Sequence, residues 1–159
     1  MTDQHQGRTQ HQGRTQGRTQ HQGQHQGQFA PATFDRAAGY ALLDELQDAA
    51  TRQAALPGLE TLAPGFVDWI VTALFGGTYQ RDGLALRDRQ LLNLAALTAL
   101  GGVEPQLVGH VRSSLRIGMT REEIVESLVH LAPYVGVPKA LAGLRAAGQA
   151  FAAVAAAER

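Results

Sequence analysis

Two histidines fall on apolar helical stripes, and histidine is the side chain best suited to moving protons near neutral pH. His110 follows Leu107 by three positions and precedes Val111, which puts it on the inner side of a helix, with Ser114 one turn later. Taken alone, a core histidine donating to a backbone carbonyl fits that position better than a catalytic one does. His130 belongs to a second stripe: Glu123, Ser127, His130 and Tyr134 are spaced 4, 3 and 4 apart and stack along one helix face. Glu126, one turn before His130, either sets its tautomer or is solvated surface, and Glu123 has a separate use as a helix-capping residue. A third group is cationic. Arg81, Arg87 and Arg89 surround Asp82-Gly83-Leu84. Arginine forks grip carboxylates at two points, whereas Asp82 and Asp88 would neutralise them in local ion pairs.

Other chemistries are excluded by what the chain lacks. It has no cysteine, which removes disulfides, thiolate zinc sites and cysteine nucleophiles together. No phosphate-binding glycine loop, no HExxH and no GxSxG occurs. The 14 basic and 14 acidic residues balance, so the electrostatic footprint of a nucleic-acid binder is missing. The start has no charged segment followed by an apolar one, and no uninterrupted apolar run reaches the roughly 20 residues that cross a bilayer. A cytoplasmic protein with no membrane and no nucleic-acid partner is expected.

The remaining histidines, His5, His11, His21 and His25, lie among near-repeats of QHQGRT and QGRT in residues 1–28. No Leu, Ile, Val or Phe precedes Phe29. A segment without apolar area to bury cannot offset its ordering entropy, so residues 1–28 read as a disordered Gln/Gly/His-rich low-complexity tail. Histidine tracts sometimes hold metal, but a loose set on a flexible chain reads as solvated, and no metal site is expected.

From Asp35 onward apolar residues recur at helical spacing. Asp35 caps a helix carrying Leu42, Leu43 and Leu46 that should end before Pro57-Gly58. Pro64 opens a second, apolar on most sides from Phe66 to Phe75, as a helix buried against another subunit would be; Gly76-Gly77 stop it. A third runs from about Leu86 to Gly101, and a fourth from Pro105 to Gly118. Thr120 and Glu123 make a capping box for a fifth, which Pro133 should end or kink. Pro138 starts the last, marked by Leu141, Leu144 and Phe151. Nothing alternates with the period of a strand. The expectation is an all-α domain of about six helices over residues 29–159, with an antiparallel helical hairpin from about 86 to 132.

The stretches FGGTYQRDGLALRDRQLLNLAALTALG (75–101) and GHVRSSLRIGMTREEIVESLVHLAPYVGVPKAL (109–141) resemble the carboxymuconolactone decarboxylase family. That family shows an FG–aromatic–Arg–Gly-Leu segment, an R-x-R helix start ending in ALG, and a helix with an inward histidine. Gly–x–Thr–x–x–Glu-Ile and His–x–x–x–Tyr–x–Gly–x–Pro then follow. Most of these elements occur here in order, over roughly residues 60–151. The resemblance implies the alkylhydroperoxidase D-like helical fold and assembly into trimers or hexamers. The redox branch carries a CxxC where this chain has Val103 and Gln106, so thiol peroxidase activity is not expected. The decarboxylase branch implies cofactor-free conversion of 4-carboxymuconolactone to an enol-lactone and carbon dioxide in aromatic catabolism. Under that implication Arg81 and Arg87 bind carboxylates, His110 transfers the proton, and His130 and Tyr134 hydrogen-bond near the oxyanion. A same-fold hydrolase or isomerase of a small cyclic acid, or a non-catalytic oligomeric binding protein, are the alternatives. Three positions depart from the family pattern: Tyr79 where Trp is common, Pro133 within a usually continuous helix, and Val135 for a small or thiol residue.

Overall fold

The computed structural model describes residues 33–159, apart from the side chains at 50, 51 and 53–57. The tail expected at 1–28 and the expected domain start at 29–32 lie outside the described residues.

The elements are α1 (Arg36–Leu46), α2 (Ala49–Leu62), α3 (Phe66–Ile70), a π-helical turn (Val71–Phe75), a 3-10 turn (Thr78–Gln80), α4 (Leu86–Leu100), α5 (Glu104–Arg116), α6 (Arg121–His130), α7 (Ala132–Val135) and α8 (Val137–Ala157). No strand occurs among the described residues, and the fold is all-α. The capping signals act where the sequence puts them. Asp35 accepts from the Ala38 N–H at 2.9 Å. Thr120 and Glu123 bond reciprocally as a capping box. α5 ends in a Schellman turn: Gly118, at φ 88°, donates to Leu115, and Met119 donates to Ser114. Thr120→Ala is expected to cost about 1 kcal/mol, measurable as a lowered denaturation midpoint; an unmoved midpoint would show that the cap contributes nothing.

Two expectations need correction. The first helix does not run on towards Pro57-Gly58. It stops at Leu46, where Gln47 turns extended at φ −130°. The Asp48 carbonyl accepts from the Arg52 N–H, as a helix N-cap does, while its carboxylate holds Arg112 of α5 at 2.8 Å. Aspartate favours that boundary position over a helix interior. α2 then runs through positions 57 and 58 to Leu62. The second correction concerns Phe66–Phe75, which is not one uniform helix. Beyond Ile70 it widens into the π turn, closed by the Gly76 N–H on the Val71 carbonyl at 2.9 Å. The helix count rises accordingly, and α7 appears as a separate short turn with Pro133 in its first residues.

The main core joins α4, α5, α6 and α8 through Leu94, Leu107, Val111, Ile124, Leu128 and Ala147. α8 spans 21 residues and is long and apolar enough by composition to cross a membrane, yet Ala140, Ala146, Ala147 and Ala150 form its buried face against those helices. A second cluster, Leu43, Leu46, Val71 and Phe75, fastens α1 to the π turn. The two backbones nearly touch there: a Cβ at Gly39 would stand 2.6 Å from the Val71 carbonyl oxygen. α1 is thereby held so that its last turn faces α5.

Candidate active site

A cavity of about 300 Å³ opens where the end of α1, the π turn, α4 and α5 meet. Leu46, Phe75 and Pro105 give it apolar walls, and Gln47, Gln90, Gln106, His110 and Ser113 supply its polar groups. Among the described residues, no carboxylate and no cation lines it. Its size is at the lower end for small-molecule sites.

His110 does not donate to a backbone carbonyl, as a plain core histidine would. Its Nδ1 lies 3.0 Å from Oε1 of Gln90, a residue of α4 with no exposure at all. Asn93, one turn further along α4, places Nδ2 at 3.5 Å from the same ring nitrogen and donates to the Tyr79 hydroxyl oxygen at 2.6 Å. Burial pushes the His110 pKa below its ordinary 6.5, because the imidazolium loses hydration and gains no counter-charge. The neutral ring is therefore the dominant form at neutral pH. Burial also raises the Tyr79 pKa, against the smaller opposing effects of Asn93 and Arg89, so its hydroxyl keeps its proton. The Gln90 Nε2 is sealed from solvent and unpartnered, a feature with a real energetic cost. Ser114, also buried, bonds to the His110 carbonyl at 2.8 Å and so fixes backbone rather than substrate.

The other residues singled out in the sequence gather elsewhere. Arg87, Glu123, Glu126, Ser127 and His130 line a separate groove of about 450 Å³ between α4 and α6, floored by Leu91, Ala95 and Leu131. The predicted stripe on α6 is real, and Tyr134 stays in ring contact with His130 at 5.4 Å despite the break at Leu131, but Tyr134 is 73% exposed. Arg87 is paired with Glu123 at 2.7 Å, across helices rather than with Asp82 or Asp88. Glu123 is held below the usual carboxylate range, first by the Thr120 backbone N–H and then by Arg87. Arg81 is exposed at the turn before α4, and its carbonyl accepts from Arg89, whose guanidinium covers the Tyr79 ring. Neither Arg81 nor Arg87 lines the His110 cavity, so one chain does not bring the arginines and His110 together.

Gln90 and Asn93 are the residues that sequence reasoning missed. The signal was present: they stand three apart in LRDRQLLNLAALTAL, on the stripe that continues into buried Leu94. Two amides interrupting an apolar face need polar partners inside the fold.

The described residues form an all-α domain with an amide-bound histidine lining a small cavity, and the chain has no thiol. The chain belongs to the carboxymuconolactone decarboxylase family, whose sequence model matches residues 64–149, more than half of the chain. It is similar to an uncharacterised 15.0 kDa protein from the nqo9–nqo10 intergenic region of Paracoccus denitrificans, with 34% identity over 59% of this chain and 71% of that one. It is also similar to the 4-carboxymuconolactone decarboxylase of Acinetobacter baylyi, with 31% identity over 61% of this chain and 72% of that one. The matched family span contains Tyr79, Gln90, Asn93, His110 and His130, but not Leu46 and Gln47 of the cavity wall.

Proposed function

We propose that the protein is a cofactor-free decarboxylase of 4-carboxymuconolactone or a similar small lactone or enol carboxylic acid. The observation that carries this reading is His110, neutral and half-buried, at an apolar cavity of substrate size in a member of this family. The carboxylate leaves as carbon dioxide, and its bonding pair passes through the ring double bond to the lactone carbonyl. One proton then returns to carbon; His110 takes it up from solvent and supplies it from the imidazolium form. Walls of leucine, phenylalanine and proline favour loss of charge from the departing carboxylate, since the ionised ground state is the more strongly hydrated species. A purely structural scaffold would bury and saturate its histidine with no space beside it; here a cavity adjoins the ring.

Assembly belongs to the same proposal. Phe66, Trp69 and Leu74 are 45%, 64% and 40% exposed, and the Phe66 and Trp69 rings stack at 5.8 Å. A homo-oligomer, trimer or hexamer, would cover them. The carboxylate-binding role of Arg81 and Arg87 rests on a neighbouring copy bringing them to the cavity.

The direct test is absorbance loss of freshly generated 4-carboxymuconolactone, with carbon dioxide followed in parallel. Turnover that survives chelator treatment supports the reading. No turnover by folded protein removes this substrate. Arg87→Lys is expected to raise KM about tenfold, the equivalent of one charge-assisted hydrogen bond of about 1.5 kcal/mol. An unchanged KM would make Arg87 purely a partner of Glu123.

A further inference from the structure

We propose that Gln90 is a positioning residue that fixes the tautomer of His110, so that protons enter and leave the ring only at Nε2. The statement deepens the decarboxylase reading and rests on it for the use made of the proton, though not for where the proton sits.

The argument starts from valence. A neutral imidazole carries one N–H, and its place follows from the partner of each nitrogen. Oε1 of Gln90 accepts and cannot donate, and it stands 3.0 Å from Nδ1. The Asn93 Nδ2 donor is further from Nδ1, at 3.5 Å, and has the Tyr79 oxygen as its acceptor at 2.6 Å, so the shorter contact decides: Nδ1 holds the proton and donates to Oε1. Nε2 has no protein partner among the described residues and is not among their sealed, unsatisfied atoms. Its lone pair is left for a ligand or water. When Nε2 gains a proton, Nδ1–H still donates to Oε1, so neither the ring nor the amide has to turn. Decarboxylation takes up one proton per turnover, and this arrangement lets Nε2 collect it from water and pass it to the dienolate carbon.

The surroundings explain why an amide suits the task. Among the described residues, the polar groups that line the cavity beside the ring are Gln47 just after α1 and Gln106 and Ser113 on α5; Asn93 on α4 reaches the ring and ties to Tyr79 of the 3-10 turn, and all are uncharged, with the cation Arg89 over the Tyr79 ring. A carboxylate at position 90 would hold the same Nδ1–H and stabilise the imidazolium as well, leaving a weaker acid. An amide orients without that cost. Gln90 is fully buried and keeps an unsatisfied Nε2 while doing so, which a residue chosen for packing alone would not need.

The ring itself reports the answer. Long-range ¹⁵N–¹H spectra of the full chain, ¹⁵N-labelled at histidine, distinguish the two neutral tautomers at pH 8, with His110→Asn identifying the signal. The wild type is expected to show Nδ1–H. Gln90→Met, close in volume, should release the ring toward Nε2–H, and Gln90→Glu should keep Nδ1–H and raise proton affinity at least about tenfold. Nε2–H in the wild type, or a tautomer unmoved by Gln90→Met, would overturn the proposal. No substrate is present in the measurement, so failure of the decarboxylase assay leaves it intact; conversely, a wrong tautomer leaves the assay standing. Should Gln90→Met not fold, the wild-type spectrum alone decides.

Discussion

His110→Asn is expected to lower kcat about 10² to 10⁴-fold, the usual contribution of a positioned acid or base, while the fold and any assembly persist. Asparagine is the informative replacement because its amide N–H sits near the place of Nδ1–H and still satisfies Gln90, which holds the ring at 3.0 Å. What it lacks is the second nitrogen. The pH dependence carries the same signature. Burial holds the His110 pKa below 6.5, so the acid form grows as pH falls toward that value. With the imidazolium as proton donor, kcat/KM should rise as pH is lowered and level off beneath the folded pKa, and the Asn variant should be flat and low. Stability moves the opposite way. A base with a depressed folded pKa is protonated first in the unfolded chain. Stability is therefore full above 6.5, falls as pH drops from 6.5 to the folded pKa, and is constant below it. Denaturant titrations of wild type and His110→Asn should differ in that window. Equal turnover in the two proteins would remove His110 from the mechanism.

The sequence made the helical frame readable because its boundaries are written in short-range chemistry. Asp35, the Thr120–Glu123 box and Gly118 act through atoms three to five residues away, and each does what its type implies. The break at Gln47–Asp48 was hidden because apolar periodicity continues across it and the tie that fixes it, Asp48 to Arg112, spans 64 positions. The site was legible to the same degree. The inward position of His110 follows from its neighbours on one helix. Its partner does not: Gln90 is 20 residues away on α4, and only the packing of α4 against α5 selects it. The arginines illustrate the converse. Proximity in sequence grouped Arg81, Arg87 and Arg89, but helical phase sends Arg87 toward α6 and Arg89 toward Tyr79.

The second large effect is expected far from any ionisable group, at Gly39. A methyl there would meet backbone on two sides, the Val71 carbonyl at 2.6 Å and the Gly76 nitrogen at 2.9 Å. Backbone has no alternative rotamer with which to yield, so α1 must lift from the π turn. Leu43 and Leu46, 4% and 2% exposed, leave their places with it. Overpacking of this kind costs about 3 kcal/mol, which lowers Tm by on the order of 10 °C for a chain of this size. Gly148→Ala in α8 is the control. Its Cβ would have nothing within 4 Å, and replacing glycine inside a helix should stabilise by about 0.5–1 kcal/mol. The two variants add the same atom and should move Tm in opposite directions. Activity separates them again. Leu46 and Phe75 are cavity walls that the Gly39 contact holds in register, so Gly39→Ala should lose turnover even at temperatures where it remains folded. A Gly39→Ala protein with unaltered Tm and full turnover would mean that α1 neither grips the π turn nor shapes the site.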